Sequence, residues 1–213
     1  KLRLTMANLK ALAKDTAIYG LSSIVGRFLN YLLVPLYTHV ISAASGGYGV
    51  VTNLYAYTAL LLVVLTFGME TTFFRFMNDE KEEHDTVFSV AFGVIALLTS
   101  VFLGLVFGFS SSVSSALGYA DNPEYVQLMA SVVALDALQA IPFGLLRLQK
   151  RPIKFASLKL LNIFTNIALN LFVFIALPHL YSKNPELFGS IYFPENQAFY
   201  VFFINLIYIY LSH

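Results

Sequence analysis

Six apolar stretches, each near the length of a membrane-crossing helix, constrain this chain more than any motif in it. They run Ala17–Ile41, Val50–Phe74, Val87–Phe109, Tyr125–Leu146, Phe155–Leu177 and Ala198–Leu211, the last being the shortest. A helix needs about 20 mostly apolar residues to span the hydrocarbon core. Transmembrane strands would instead alternate strictly over segments of about ten residues, and runs such as Leu60–Leu65 and Leu171–Leu177 do not alternate. The expected fold class is therefore an all-α polytopic membrane protein with six transmembrane helices. Composition agrees: 58% of the 213 residues are hydrophobic and 12% charged, about half the charge of an average soluble domain. High hydrophobicity excludes a disordered chain. The lack of cysteine excludes a disulfide framework, a thiolate metal site and a thiol nucleophile. A net charge of +1 offers no footprint for nucleic acid.

The basic residues orient the spans. With the N-terminus in the cytoplasm, eleven of the thirteen Lys and Arg fall on that side: Lys1, Arg3, Lys10, Lys14, Arg75, Lys81, Arg147, Lys150, Arg151, Lys154 and Lys159. The opposite loops hold only Lys183, and Arg27 lies inside the first span. By the positive-inside rule both termini are expected inside. The outer loops, Ser42–Gly49, Ser110–Glu124 and Pro178–Gln197, are rich in Ser, Gly, Asn and Pro and read as turns. None is long enough for a separate domain. Over residues 1–14, Leu2, Leu4, Met6, Leu9 and Leu12 recur at roughly helical spacing among basic residues. Two readings stay open there, an interfacial helix on the inner leaflet and a solvated basic tail.

Ionisable groups inside a membrane are functional candidates by default. Arg27 lies 12 residues beyond Asp15, roughly 18 Å along a helix, and Asp136 lies 11 residues before Arg147, roughly 16 Å. Asn166 lies 12 residues beyond Lys154, again roughly 18 Å. Three spans thus bring polar groups to one depth. Asn30 and Gln139 are each three residues from one of these charges and share its helix face. Asn162, Asn166 and Asn170 form a stripe on the fifth span. One reading is a buried Arg27–Asp136 pair with amide contacts between helices. The other is a hydrated cavity lined by Arg27, Asn30, Asp136, Gln139 and Asn166, where arginine suits a phosphate-bearing cargo. Near the inner surface, Glu70 could pair with Arg75 or Lys81, as neutralisation or as a gate, while Arg75 also reads as a snorkelling anchor.

Pro35 and Pro142 each free a backbone carbonyl within a span. Ser22 with Gly26, and Gly104 with Gly108, read as small-residue packing faces. Phe73, Phe74, Phe76, Tyr208 and Tyr210 fit an aromatic belt. His39, His84, His179 and His213 are scattered, and none of the HExxH, GxSxG, P-loop or GxGxxG patterns occurs. The expectation is a protein that is not an enzyme and needs no cofactor or metal, with coupling to Na+ or H+ left open.

The stretch Lys14–Phe76 carries a resemblance. The run GRFLNYLLVPLYT in the first span, the YG opening the second and GMETTFFRF at its end are similar to the start of an oligosaccharide flippase. Such polysaccharide biosynthesis proteins belong to the multidrug/oligosaccharidyl-lipid/polysaccharide exporter superfamily. The resemblance implies two six-helix lobes around a central cavity and movement of lipid-diphosphate-linked sugars by alternating access. It implies a bacterial inner-membrane location, a cationic cavity role for Arg27 and, in FFRF, Arg75, and Glu70 of GMET as a partner within the lobe. Where the family often has a basic residue after LYT, this chain has His39, and Ser42–Gly47 lacks the usual acidic residue before YG. Six spans make one lobe, so residues 1–213 are expected to be the N-terminal lobe. Its partners would be lipid-linked oligosaccharide, membrane lipid, and a second lobe outside this chain or a second copy. Three rivals predict different centres. A cation-coupled small-molecule exporter would be dominated by Asp136 or Glu70. A membrane-embedded polysaccharide polymerase or glycosyltransferase would need a catalytic loop. A bundle without cargo would be dry around Arg27.

Overall fold

The computed structural model describes residues 2–41, 47–79, 83–189, 192 and 197–211, without the side chains of 2–12, 15, 27 and 211. Among the described residues there is no strand. Five helical segments are long and apolar enough to cross a membrane, Thr16–Val40, Gly47–Met77, His84–Gly108, Pro123–Leu148 and Pro152–Lys183, and a shorter apolar helix covers Gln197–Tyr210. The six expected stretches thus reappear, with ends shifted by a few residues. In lipid this follows from the backbone, whose polar groups must be satisfied within each segment.

Three of the spans are broken. The first divides into α1 (Leu2–Tyr31) and α2 (Leu33–Val40). Pro35 causes the break, because its ring displaces the carbonyl four residues earlier, that of Tyr31, where α1 ends. Residues 2–14 continue α1 without interruption. The second span divides into α3 (Gly47–Thr66) and α4 (Met69–Met77). Between them Phe67 and Gly68 take positive φ, 46° and 66°. Glycine enters that region freely, whereas a residue such as Phe67 pays about 1–3 kcal/mol. The fifth span comprises α8 (Pro152–Leu171), a π-helical turn at Phe172–Ala176 and α9 (Leu177–Lys183). Pro178 opens α9, and its ring faces the carbonyl of Phe174 inside the widened turn, which accommodates it. By contrast, α7 (Pro123–Leu148) runs unbroken through Pro142.

The third span is a single helix, α5 (His84–Gly108). The serine-rich loop after it is not all turn, because Ser110–Ala116 forms α6. A Schellman cap ends α6: the Tyr119 amide donates to the Ser114 carbonyl at 2.7 Å and Gly118 donates to Ser115 at 3.1 Å. Gly118 supplies the left-handed residue the cap requires, at φ 82°. After α9, Pro185–Phe188 makes the short α10, and α11 covers Gln197–Leu211.

Helix α7 is the axis of the bundle and packs against α3, α4, α5, α6, α8 and α11. Half of its most apolar window is buried, against 17% to 28% in the other long spans. Val126, Ala130, Val133, Ala137 and Ile141 are fully buried along one face, at steps of three and four residues. Helix α1 packs instead against α8. Gly26 makes that approach possible, since a Cβ there would stand 2.7 Å from Ile163 Cδ1. The other small-residue pair, Gly104 and Gly108, is exposed and faces nothing within 4 Å among the described residues, so it packs against no helix of this bundle. Phe73 is also not a belt residue. It is 1% exposed and its ring packs on Phe88 and against Gly144.

Candidate functional site

The gap between the α1–α8 pair and the α7–α11 pair is polar. Ser22, Ser23, Gly26 and Asn30 enter it from α1, Asp136 and Gln139 from α7, Lys159 and Asn162 from α8, and Tyr208 from α11, around a cavity of ≈ 230 Å³. A second cavity of ≈ 400 Å³ adjoins it. The two share Ser23, Asp136, Gln139 and Lys159, and the second extends past Phe143 and Phe155 to Arg147. Steps of three and four residues carry Asp136, Gln139, Phe143 and Arg147 along one face of α7, about a third of a turn from its dry face.

Two cations belong to this space. Lys159 sits over the Phe143 ring, 5.0 Å from its centroid, and its charge acts on Asp136. Arg147 forms an ion pair with Glu70. Its guanidinium lies 5.5 Å from the Phe74 ring and 5.9 Å from the Phe155 ring. Glu70 stands in the first turn of α4 and Arg147 in the last turn of α7, the helix ends that favour an anion and a cation respectively.

An amide ladder closes one wall. Tyr37 Oη donates to Asn170 Oδ1 at 2.7 Å. Asn170 Nδ2 donates to the Asn166 carbonyl at 2.8 Å and to its Oδ1 at 2.9 Å. Asn166 Nδ2 then donates to Asn30 Oδ1 at 3.0 Å. The stripe on α8 thereby ties α2 and α1 to it, and its buried amides are satisfied. Across the cavity, Gln139 Nε2 donates to the Ile209 carbonyl at 3.2 Å. Another buried amide, Asn205 on α11, donates to Tyr55 of α3.

Of the residues singled out by sequence, Asn30, Asp136 and Gln139 line the cavity, and Asn166 lies behind Asn30 as its hydrogen-bond partner. The Arg27 side chain lies outside the described residues, as does Lys81. The Glu70 assignment is corrected: its partner is Arg147, and Arg75 is an exposed residue in the last turn of α4. Five positions turn a helix by about 140°, so Glu70 and Arg75 point apart, while Phe73 and Phe74 share the Glu70 face. Lys159 and Arg147, which the sequence places only among the basic residues of the cytoplasmic side, both line this space. Yet Lys159 stands seven residues inside α8, about 10 Å from its start. That rise was a usable signal. Tyr208, read as a belt residue, lines the cavity, while Tyr210 is exposed. Among the described residues no group of three His, Asp or Glu could hold a metal ion.

Chemically, the space offers two fixed cations, a carboxylate and several amide and hydroxyl groups inside an apolar bundle. Such a set can form charge-assisted hydrogen bonds with an oxyanion and ordinary ones with hydroxyl groups. No curated protein and no solved structure matches the chain. The sequence profile of polysaccharide biosynthesis proteins matches residues 12–211 and so takes in every membrane-crossing helix and the whole cavity wall. This multi-pass membrane chain belongs to the polysaccharide biosynthesis protein family.

Proposed function

We propose that the chain forms one lobe of a flippase that carries a lipid-diphosphate-linked oligosaccharide across a bacterial inner membrane by alternating access. The observation that carries this reading is the amide-rich cavity, with Lys159, Arg147 and Asp136 in its wall, inside an otherwise apolar bundle. Lys159 and Arg147 hold the diphosphate in this reading, and the amides and hydroxyls of Asn30, Gln139, Asn162 and Tyr208 meet sugar hydroxyls. Arg27 keeps its candidacy from its place in the sequence. The lipid tail stays in the bilayer, and a second six-helix lobe, or a second copy, supplies the opposite cavity wall. No bond of the cargo is broken, so the role is transport rather than catalysis. The eleven basic residues on one side support a cytoplasmic N-terminus.

Asp136 favours one second reading, a cation-coupled exporter of small molecules, and one experiment separates the two. A charge-assisted hydrogen bond is worth about 1.5–3 kcal/mol, so Lys159→Gln in the full-length protein should cut oligosaccharide translocation about tenfold or more. Transport of a fluorescent lipid-linked sugar into vesicles measures this. If Lys159→Gln transports normally while Asp136→Asn abolishes cation-driven efflux, the exporter reading replaces the flippase.

A further inference from the structure

The second part of span two is a short arm on an unsupported joint. Helix α4 has nine residues and meets α3 only through Phe67 and Gly68, both at positive φ. No packing holds that joint: Phe67 is 78% exposed, and nothing lies within 4 Å of the place a Gly68 Cβ would occupy. Below the joint, α4 packs on both α5, where Phe73 meets Phe88, and α7, to which two further contacts tie it. Phe73 lies against Gly144, where α7 presents no side chain, and Glu70 pairs with Arg147. Arg147 also borders the cavity, so one guanidinium serves both the arm and the site. The pair is weak, because its side chains are 38% and 36% exposed. Each charge is also favoured by its own helix end, which lowers the cost of parting them.

We propose that α4 is a hinged arm, latched by the Glu70–Arg147 ion pair, and that a phosphate-bearing cargo opens it by taking Arg147 from Glu70. The cargo half rests on the function proposed above, while the hinge does not. A guanidinium presents its paired donors to one oxyanion at a time. A ligand shifts a two-state equilibrium only by its differential affinity, and a phosphate that needs Arg147 free binds the open arm better. Cargo entry and movement of the second span are thereby the same event.

Residues 1–213 hold no cysteine, so, once any cysteine elsewhere in the full-length protein is replaced, spin labels can be placed at Asn78→Cys, at the end of α4, and Gln149→Cys, just beyond α7, in nanodiscs. Inorganic pyrophosphate is the probe, with its binding followed by calorimetry. The expected result is one short distance without probe and a second, longer one with pyrophosphate. Glu70→Gln should show the longer distance without probe, and Glu70→Arg with Arg147→Glu should restore the short one. An unchanged distance in Glu70→Gln, in protein that remains monodisperse, overturns the hinge. If Glu70→Gln opens the arm but bound pyrophosphate does not, the hinge stands and release by cargo is overturned. If pyrophosphate does not bind, release by cargo falls together with the cavity reading, and Glu70→Gln still decides the hinge.

Discussion

The two faces of α7 solve opposite problems. On one, Val126, Ala130, Val133, Ala137 and Ile141 meet α3, α5 and α11 with no exposure at all. On the other, Asp136, Gln139 and Arg147 face a cavity that α1 and α8 wall off. Ala137 and Asp136 are neighbours in sequence, and a turn of about 100° separates a sealed contact from a polar gap. The difference shows that this bundle is held by one half and left open by the other. The α1–α8 pair lines the gap with polar residues, while the α3–α5–α7–α11 side buries only a few, such as Asn205 paired with Tyr55.

The comparison breaks first at the dry face. Ala137→Asp should cost about 2.5–3.5 kcal/mol, the penalty of a charge within a bundle, and the protein should elute as aggregate in size-exclusion chromatography. A monodisperse Ala137→Asp protein would mean the dry face is hydrated too. The wet half is sharpened by Gly26→Val, which drives a side chain into Ile163 and should lose about 1–3 kcal/mol of stability. Adding Ile163→Ala should recover part of that loss in thermal unfolding, because it removes the clashing group. The smallest effect tests the amide ladder. Tyr37→Phe removes one buried hydrogen bond to Asn170 and should lower stability by about 1 kcal/mol, with the α2 amides exchanging faster in hydrogen-exchange measurements.

How much of this was legible in the sequence depends on the range of the interaction. Asp136 with Gln139, and the Asn162–Asn166–Asn170 stripe, were readable because residues three or four apart share a helix face wherever the helix packs. The kink near Pro35 was readable for the same local reason. The partner of Glu70 was not. Arg75 is near in sequence but points elsewhere, while Arg147 arrives from another span 77 positions away. That Lys159 reaches the cavity was not legible from its side of the membrane, because a charge count ignores how far a helix has already risen. The joint at Phe67–Gly68 lies within one predominantly apolar span, where hydropathy carries no sign of a break in the helix.

The sequence by itself determined the all-helical class, the apolar spans and the polar face of each helix. Those outcomes follow from forces that act within one segment: backbone hydrogen bonds that lipid cannot replace, and side-chain periodicity. Only the tertiary structure decided that Lys159 joins Asp136, that Arg147 holds Glu70, and that α7 seals one side while leaving the other open. Those depend on how helices far apart in the chain approach one another, a distance set by residues such as Gly26 and Gly144.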